Sequence, residues 1–377
     1  MQKTNNVPKL RFPGFEDEWE SCKISDITTV SSFKQYIKHA TNDGKFEVIQ
    51  QGNVPVSGYA DGNPFMEYEK VTLFGDHTLS LYKPEKPFFV ASDGLKILYS
   101  NFMNGDFYYY LLEKNKPESE GYKRHFSILK ECECSYPKLT CEQQQIGTFL
   151  KSIDHLITLP QQKLESLKEY KKAMLQKMFP KAGEKVPEIR FPGFEDEWEE
   201  KKLCEIAEFN PKSNLPDVFE YVDLESVIGT EMISHRTETK MSAPSRAQRL
   251  AQTGDVFFQT VRPYQRNNYL FSKDDKNYVF STGYAQMRPN IDAKFLMSFL
   301  QTDEFVKNVL DNCTGTSYPA INTNDLSNLN ILLPILKEEQ ENIGKSIANI
   351  DTLINLNQQK LDLMKEYKKG LLQQMFV

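Results

Sequence analysis

Between Lys240 and Leu270, five basic side chains (Lys240, Arg246, Arg249, Arg262 and Arg266) face a single acid, Asp255. In a chain of 377 residues with a formal net charge of −6, that stretch is a cationic patch on an acidic background. Arg262, Tyr264, Gln265, Arg266 and Asn267 fall within "VRPYQRNN", a turn-like segment between two strand-like runs. A guanidinium can donate twice to a guanine edge, and glutamine or asparagine amides match adenine in the same way, so this loop carries base-reading chemistry. Arg246 and Arg249 lie outside it and suit phosphate oxygens, which give affinity without sequence information. A second turn, "CTGTSYPAI", presents Thr314, Thr316, Ser317 and Tyr318, whose hydroxyls and turn amides either bind phosphate or merely shape the turn. In the first half of the chain, "GYKRHFSILK" brings Lys123, Arg124 and His125 together at a comparable distance ahead of Pro137 as "SYPAINTNDL" lies ahead of Pro334. The plain alternative for the two basic segments is solvated surface charge.

Catalytic chemistry is hard to find. No N-P-P-[YF] segment is present to hold a target base, and "GNPFM" at 62–66 resembles one only superficially. No G-x-x-x-x-G-K-[ST] loop cradles nucleotide phosphates, and the five histidines are scattered. The six cysteines show no paired framework. "CEC" at 132–134, near Cys141 and His125, lacks the C-x2-C spacing of a zinc site, so no metal is expected. No run approaches the roughly 18 apolar residues that span a bilayer, and the first residues lack the apolar core of a signal peptide. A cytoplasmic protein with reduced thiols and no membrane association is expected.

What positions the loops is written in a duplication. "VPKLRFPGFEDEWE" (7–20) and "VPEIRFPGFEDEWE" (186–199) differ at two positions and lie 179 residues apart, 186 less 7. "QQKLESLKEYKKAMLQKMF" (161–179) returns as "QQKLDLMKEYKKGLLQQMF" (358–376), 197 residues on. Each half therefore has a repeated opening, an unrepeated middle (21–136 and 200–333) and a repeated close. The middles alternate strand-like runs such as "GDVFFQTVRPY" with helix-like ones such as "DAKFLMSFLQTDEFVKNVLDN", and read as α+β globules.

In the closing segments, apolar residues fall at Ile146, Leu150, Ile153, Ile157, Leu164, Leu167, Met174 and Met178. They recur at Ile343, Ile347, Ile350, Ile354, Leu361, Met364, Leu371 and Met375, which is the 3-and-4 spacing of a coiled-coil seam. Each spans about 39 residues, roughly 58 Å as a helix, and the natural cover for one seam is the other copy, packed antiparallel. Lys171 and Lys368 interrupt the seam, which limits register at a cost in stability. Pro160 either bends the first helix or marks a loop that splits it. Phe12, Phe15 and Trp19, with Phe191, Phe194 and Trp198, are expected to anchor each globule against a helix end.

Taken together, "FPGFEDEWE" opening each half, "EQQQIG", "SIDHLITL" and the paired "KEYKK" helices, with "GDVFFQTVRP", "STGYAQMRP" and "GTSYPAINTNDLSNLNILLP", resemble the specificity subunit of type I restriction-modification enzymes. The resemblance covers nearly the whole chain, although the first globule lacks the G-D-V/R-P run. It implies an α+β fold with two globular α/β target recognition domains separated by two long antiparallel coiled-coil helices, pseudo-two-fold symmetric. Recognition domains are expected at 1–137 and 181–334, with helical regions at 138–180 and 335–377. It further implies a non-catalytic subunit that binds a bipartite, gapped double-stranded DNA target. The implied partners are two methyltransferase subunits and restriction motor-nuclease subunits, with S-adenosylmethionine, ATP and magnesium on those partners and no cofactor on this chain. The competing expectation is a coiled-coil scaffold that joins protein-binding domains and never touches DNA. A self-sufficient methyltransferase is disfavoured by the absent motifs.

Overall fold

The structure, a computed structural model, describes residues 6–119, 121, 123–315 and 317–377. The first globule opens with β1 (Glu20–Lys23), α1 (Ile24–Ile27) and β2 (Thr29–Val30). It continues through β3 (Phe46–Ile49), β4 (Val56–Ala60), β5 (Thr72–Gly75), β6 (Leu81–Tyr82), β7 (Phe88–Val90) and β8 (Leu95–Tyr99). It closes with α2 (Gly105–Lys114), α3 (Phe126–Glu131) and β9 (Glu133–Tyr136). Strands β5 and β7 are buried at every position, so their sequences read as continuous apolar runs and not as alternations. Helix α2 begins where the Asn104 side chain accepts the N–H groups of Asp106 and Phe107. Next comes α4 (Thr140–Lys177), a single helix of 38 residues that continues through Pro160, so the split by a loop does not occur.

The second globule runs β10 (Glu199–Lys202), α5 (Leu203–Ile206), β11 (Ala207–Phe209), β12 (Val218–Val222), β13 (Val227–Ile228), β14 (Glu231–Met232), β15 (Arg236–Thr239) and β16 (Ala247–Leu250). After them come β17 (Val256–Gln259), β18 (Tyr269–Leu270), β19 (Tyr278–Ser281) and β20 (Tyr284–Pro289), then α6 (Ala293–Phe299), α7 (Asp303–Asp311), α8 (Thr323–Ser327) and β21 (Asn330–Leu333). The run expected as one helix across 292–312 is two, because the Thr302 hydroxyl caps α7 by accepting from Phe305 N. Helix α9 (Lys337–Met375) ends the chain with 39 residues.

The unrepeated middles prove to share one topology. Sheet order β2-β8-β5-β6 in the first globule matches β11-β20-β17-β18 in the second, and β4-β3-β7 matches β15-β12-β19. The pairs β1–β9 and β10–β21 close each globule in the same antiparallel way. Among the described residues the β13–β14 ribbon has no counterpart in the first globule, and the edge that β16 occupies on β19 is held on β7 by the single Phe65–Phe88 antiparallel bridge.

The chain groups into two compact units, one of residues up to Gln161 with Gln359–Val377, the other Gln162–Gln358. Each globule is thus completed by parts of both long helices. In the first unit, Trp19, Phe107 of α2 and Phe376 form an aromatic cluster with centroids 6.2, 6.0 and 5.5 Å apart. In the second, Trp198, Phe295 of α6 and Phe179 repeat it at 5.7, 6.0 and 5.6 Å. This is why the "FEDEWE" segment occurs twice: its tryptophan seals a globule against the end of a long helix.

The same duplication governs the buried polar groups. Arg11 binds Glu142 through two N–H···O bonds of 2.7 and 2.9 Å, and Arg190 binds Glu339 at the same two distances. Gln143 accepts from Asn104 N and donates to Pro137 O, as Gln340 does with Asp292 N and Pro334 O. One turn along, Gly147 and Gly344 let a helix approach backbone: an added Cβ would meet Phe107 N at 2.8 Å or Phe295 N at 2.5 Å. Ile343, Ile347 and Ile350 join the core of the second globule, so part of the seam is covered by that globule as well as by a helix.

Both seam lysines find acids. In the first unit Lys368 meets Asp154 at 2.7 Å and Glu113 at 2.9 Å, and in the second Lys171 meets Asp351 at 2.5 Å. The offset of 197 residues that relates the helices relates Asp154 to Asp351 and Lys171 to Lys368, so these are one Lys–Asp pair made twice. Within the first unit, Gly147 and Phe376 both lie against Phe107 while Asp154, further along α4, meets Lys368, further back on α9, so the two helices run antiparallel there.

Candidate nucleic-acid interface

In the second globule, β11 and β17 end, and β18 and β20 begin, at one end of their sheet, because neighbouring strands are antiparallel. The "VRPYQRNN" segment caps that end. It forms a single 3-10 turn, Pro263–Gln265, flanked by Arg262 (φ 53°) and Arg266 (φ 56°), both left-handed. Backbone in that region is unfavourable for a residue with a Cβ and persists only where surrounding contacts enforce it.

Those contacts are specific. Gln259 N donates to Asn268 Oδ1 and Gln259 Nε2 to Gln265 Oε1, at 2.9 and 2.8 Å. Arg266 donates to Gln301 O and Asp303, and Asn267 Oδ1 accepts from Gly229 N. The Arg266 guanidinium holds the Asp303 carboxyl below its usual range despite partial burial. Arg266 and Asn267 therefore anchor the loop, while Tyr264 and Gln265 are exposed and Arg262 is half-buried.

The two turns singled out separately in the sequence meet here. Arg262 N donates to Pro319 O at 2.8 Å, Val261 bridges Ala320, and the Arg262 guanidinium lies 4.5 Å from the centre of the Tyr318 ring. Ser317 and Tyr318 are exposed beside it; Thr316 lies outside the described residues. Arg246 is exposed and its carbonyl accepts from Thr282 N, whereas Thr260 N donates to Gly283 O, so β16 and the loop flank the same hairpin tip. Arg249, in contrast, is half-buried.

In the first globule the equivalent loop is Asp76–Ser80, shorter by four residues, with Leu79 at φ 56°. The segment ahead of α3 packs against it. His125 N donates to Asp76 O at 2.8 Å, and Phe126 N donates to Asp76 Oδ1 at 2.9 Å. His125 is fully buried there with its Nδ1 3.2 Å from Asp76 O, so this expected contact residue is a structural one that no DNA surface reaches. Lys123 and Arg124 are exposed on the same segment. Leu79, Asn210, Arg262 and Arg266 are the non-glycine residues with positive φ among the described residues, and all four lie in loops at these two sheet ends.

Sequence reasoning missed the short 76–80 loop, which carries no charge run, and the turn after β11, where Asn210 Oδ1 accepts from Gln286 N and its Nδ2 donates to Thr323. The Asn-Pro pair at 210–211 was the available signal for the latter. Among the described residues, no group of three or more His, Cys, Asp or Glu side chains is placed to hold a metal ion. None of the described helices is long and apolar enough to cross a membrane.

The sequence pattern of the family described as "Type I restriction modification DNA specificity domain" matches residues 16–169 and again 195–366. The chain belongs to that family. It is 26% identical over 195 residues to the "Type I restriction enzyme HindI specificity subunit" of Haemophilus influenzae, a region covering 48% of this chain and 41% of that protein. Over 250 residues it is 24% identical to the "Type I restriction enzyme MjaVIII specificity subunit" of Methanocaldococcus jannaschii, 61% of this chain and 58% of the relative. The matched regions thus span about two fifths and three fifths of these relatives' lengths. The solved S subunit of a type I restriction-modification system from M. genitalium superposes with a TM-score of 0.65 at 16% identity, covering 98% of this chain and 99% of the other, and shares its fold. The two matches to one family pattern coincide with the two globules and much of their helices.

Proposed function

We propose that the chain is the non-catalytic specificity subunit of a type I restriction-modification complex, each globule reading one half of a gapped DNA target. One observation carries this reading. Both globules of a family member place the same two loops at the same end of the same sheet; the loop that follows β5 in one and β17 in the other is strained in each, and basic side chains sit on that loop in the second globule and on the segment ahead of α3 in the first, so the sequences differ. A shared frame with divergent tips is what two readers of two different half-sites require. Arg262, Tyr264 and Gln265 supply base contacts in the second globule, with Arg246 and the hydroxyls at 317–318 on the backbone. Lys123 and Arg124 act in the first.

Catalysis is assigned to partners: methyltransferase subunits with S-adenosylmethionine, and a motor-nuclease with ATP and magnesium. Two copies of the methyltransferase fit two copies of one surface. Leu156 and Leu159 of α4 are 53% and 67% exposed, and the residues 197 positions on, Leu353 and Leu356 of α9, are 45% and 56% exposed. The scaffold reading accounts for these leucines equally well but leaves the strained basic loops without a role. Mapping methylated adenines in the host genome with and without this gene decides between them. Loss of one gapped, two-part motif is expected, and an unchanged pattern refutes the assignment.

A further inference from the structure

Strand β16 carries a cation, Arg249, that no described residue of the second globule neutralises. The β16–β19 ladder shifts register between Ala247 and Arg249, which leaves Gln248 as the extra residue while Arg249 pairs with Phe280. Its Nε is shielded from solvent and donates to no group, and no carboxylate pairs with it among the described residues. Burial alone lowers its pKa from the ordinary value. A buried, unmet N–H on a charged group is costly and in a native fold calls for an explanation.

The guanidinium borders an open cavity of about 620 Å3 walled by the turn after β11. Lys212, Ser213, Asn214 and Gln248 line it with Arg249, and no acid and no aromatic ring does. Two cations with hydroxyl and amide donors suit an oxyanion, while the absence of a stacking surface argues against a base. Asn210, on the cavity rim, is tied to Thr323, just beyond the turn that carries Tyr318. The cavity and the reading loop therefore belong to one end of the globule.

We propose that this cavity seats one DNA backbone phosphate, held by Arg249 and Lys212, and that it belongs to the second globule alone because the corresponding edge of the first is the Phe65–Phe88 bridge, whose segment 61–66 carries no lysine or arginine. The seat rests on the reading of the chain as a DNA-specificity subunit. It positions the globule on the duplex and carries no sequence information of its own.

The test is the salt dependence of binding of the full chain to a labelled random-sequence duplex. For wild type, log K falls with log salt in proportion to the phosphates held, with a slope of roughly 0.9 per phosphate. Arg249→Gln and, independently, Lys212→Gln on the exposed turn should each make that slope shallower, by up to about one phosphate's worth, and Arg249→Lys should restore it. Should Arg249→Gln fail to fold, Lys212→Gln alone decides. Unchanged slopes in folded variants overturn the seat while leaving the wider reading intact. Unchanged slopes together with weakened capture of a methyltransferase subunit also overturn it, reassigning the cavity to an acidic protein segment. A wild-type chain that binds no duplex overturns both.

Discussion

Arg11 and Arg190 each lie almost wholly inside the protein against a carboxylate that is 1% exposed. Removing one partner of such a pair strands the other, at a cost of about 3 kcal/mol or more. Glu142→Gln and Glu339→Gln should each lower the melting temperature of the unit that contains them, as differential scanning calorimetry would show, and equal stability would contradict the account. Lys83 offers a pH-dependent counterpart: burial pulls its pKa down to about 8, although Asp106 opposes this. The unfolded chain then binds more protons than the folded one from about pH 8 to about pH 10.4, so this group's contribution grows more favourable as pH rises through that window. Relative to Lys83→Met, wild type should gain stability between about pH 7 and pH 10 in urea titrations. At this scale the sequence was legible where chemistry and turn residues coincide, as in "VRPYQRNN". It misled at His125, because a Lys-Arg-His run looks like surface charge until the fold turns one member inward against Asp76.

The long helices were readable from their 3-and-4 spacing, but their partners were not. Asp154 and Asp351 each follow a seam isoleucine with nothing local to mark them as paired, and only the packing of α4 on α9 brings them to lysines distant in sequence. Reversing the pair in one unit tests that packing. Lys171→Asp alone should destabilise the second unit, and adding Asp351→Lys should recover much of the loss; additive losses in a double-mutant cycle would contradict the pairing. Gly344 makes a second test. A methyl there would press on the backbone N–H of Phe295 at the start of α6, so Gly344→Ala should destabilise, although alanine favours helix over glycine by about 1 kcal/mol. The strands of the middles were recognisable singly as apolar runs. Their common topology was not, because strands of two to six residues hold too little sequence to register a match once loops have diverged.

At the scale of the whole molecule, the chain's last residues complete its first globule. Phe376 packs on Trp19 and Phe107, and Leu10 N donates to Gln374 O. A chain ending at Gln358 should therefore lose the melting transition of the first unit and keep that of the second. In the proposed function, two readers act on one target. Its most direct measurement is the methylated motif in cells carrying the loop variant Arg262→Gln with Gln265→Ala, read by genome-wide adenine mapping. The account predicts that one half of a gapped motif relaxes while the other half and the spacing stay as they were. Loss of both halves together from an assembled complex, or a motif wholly unchanged, would contradict it.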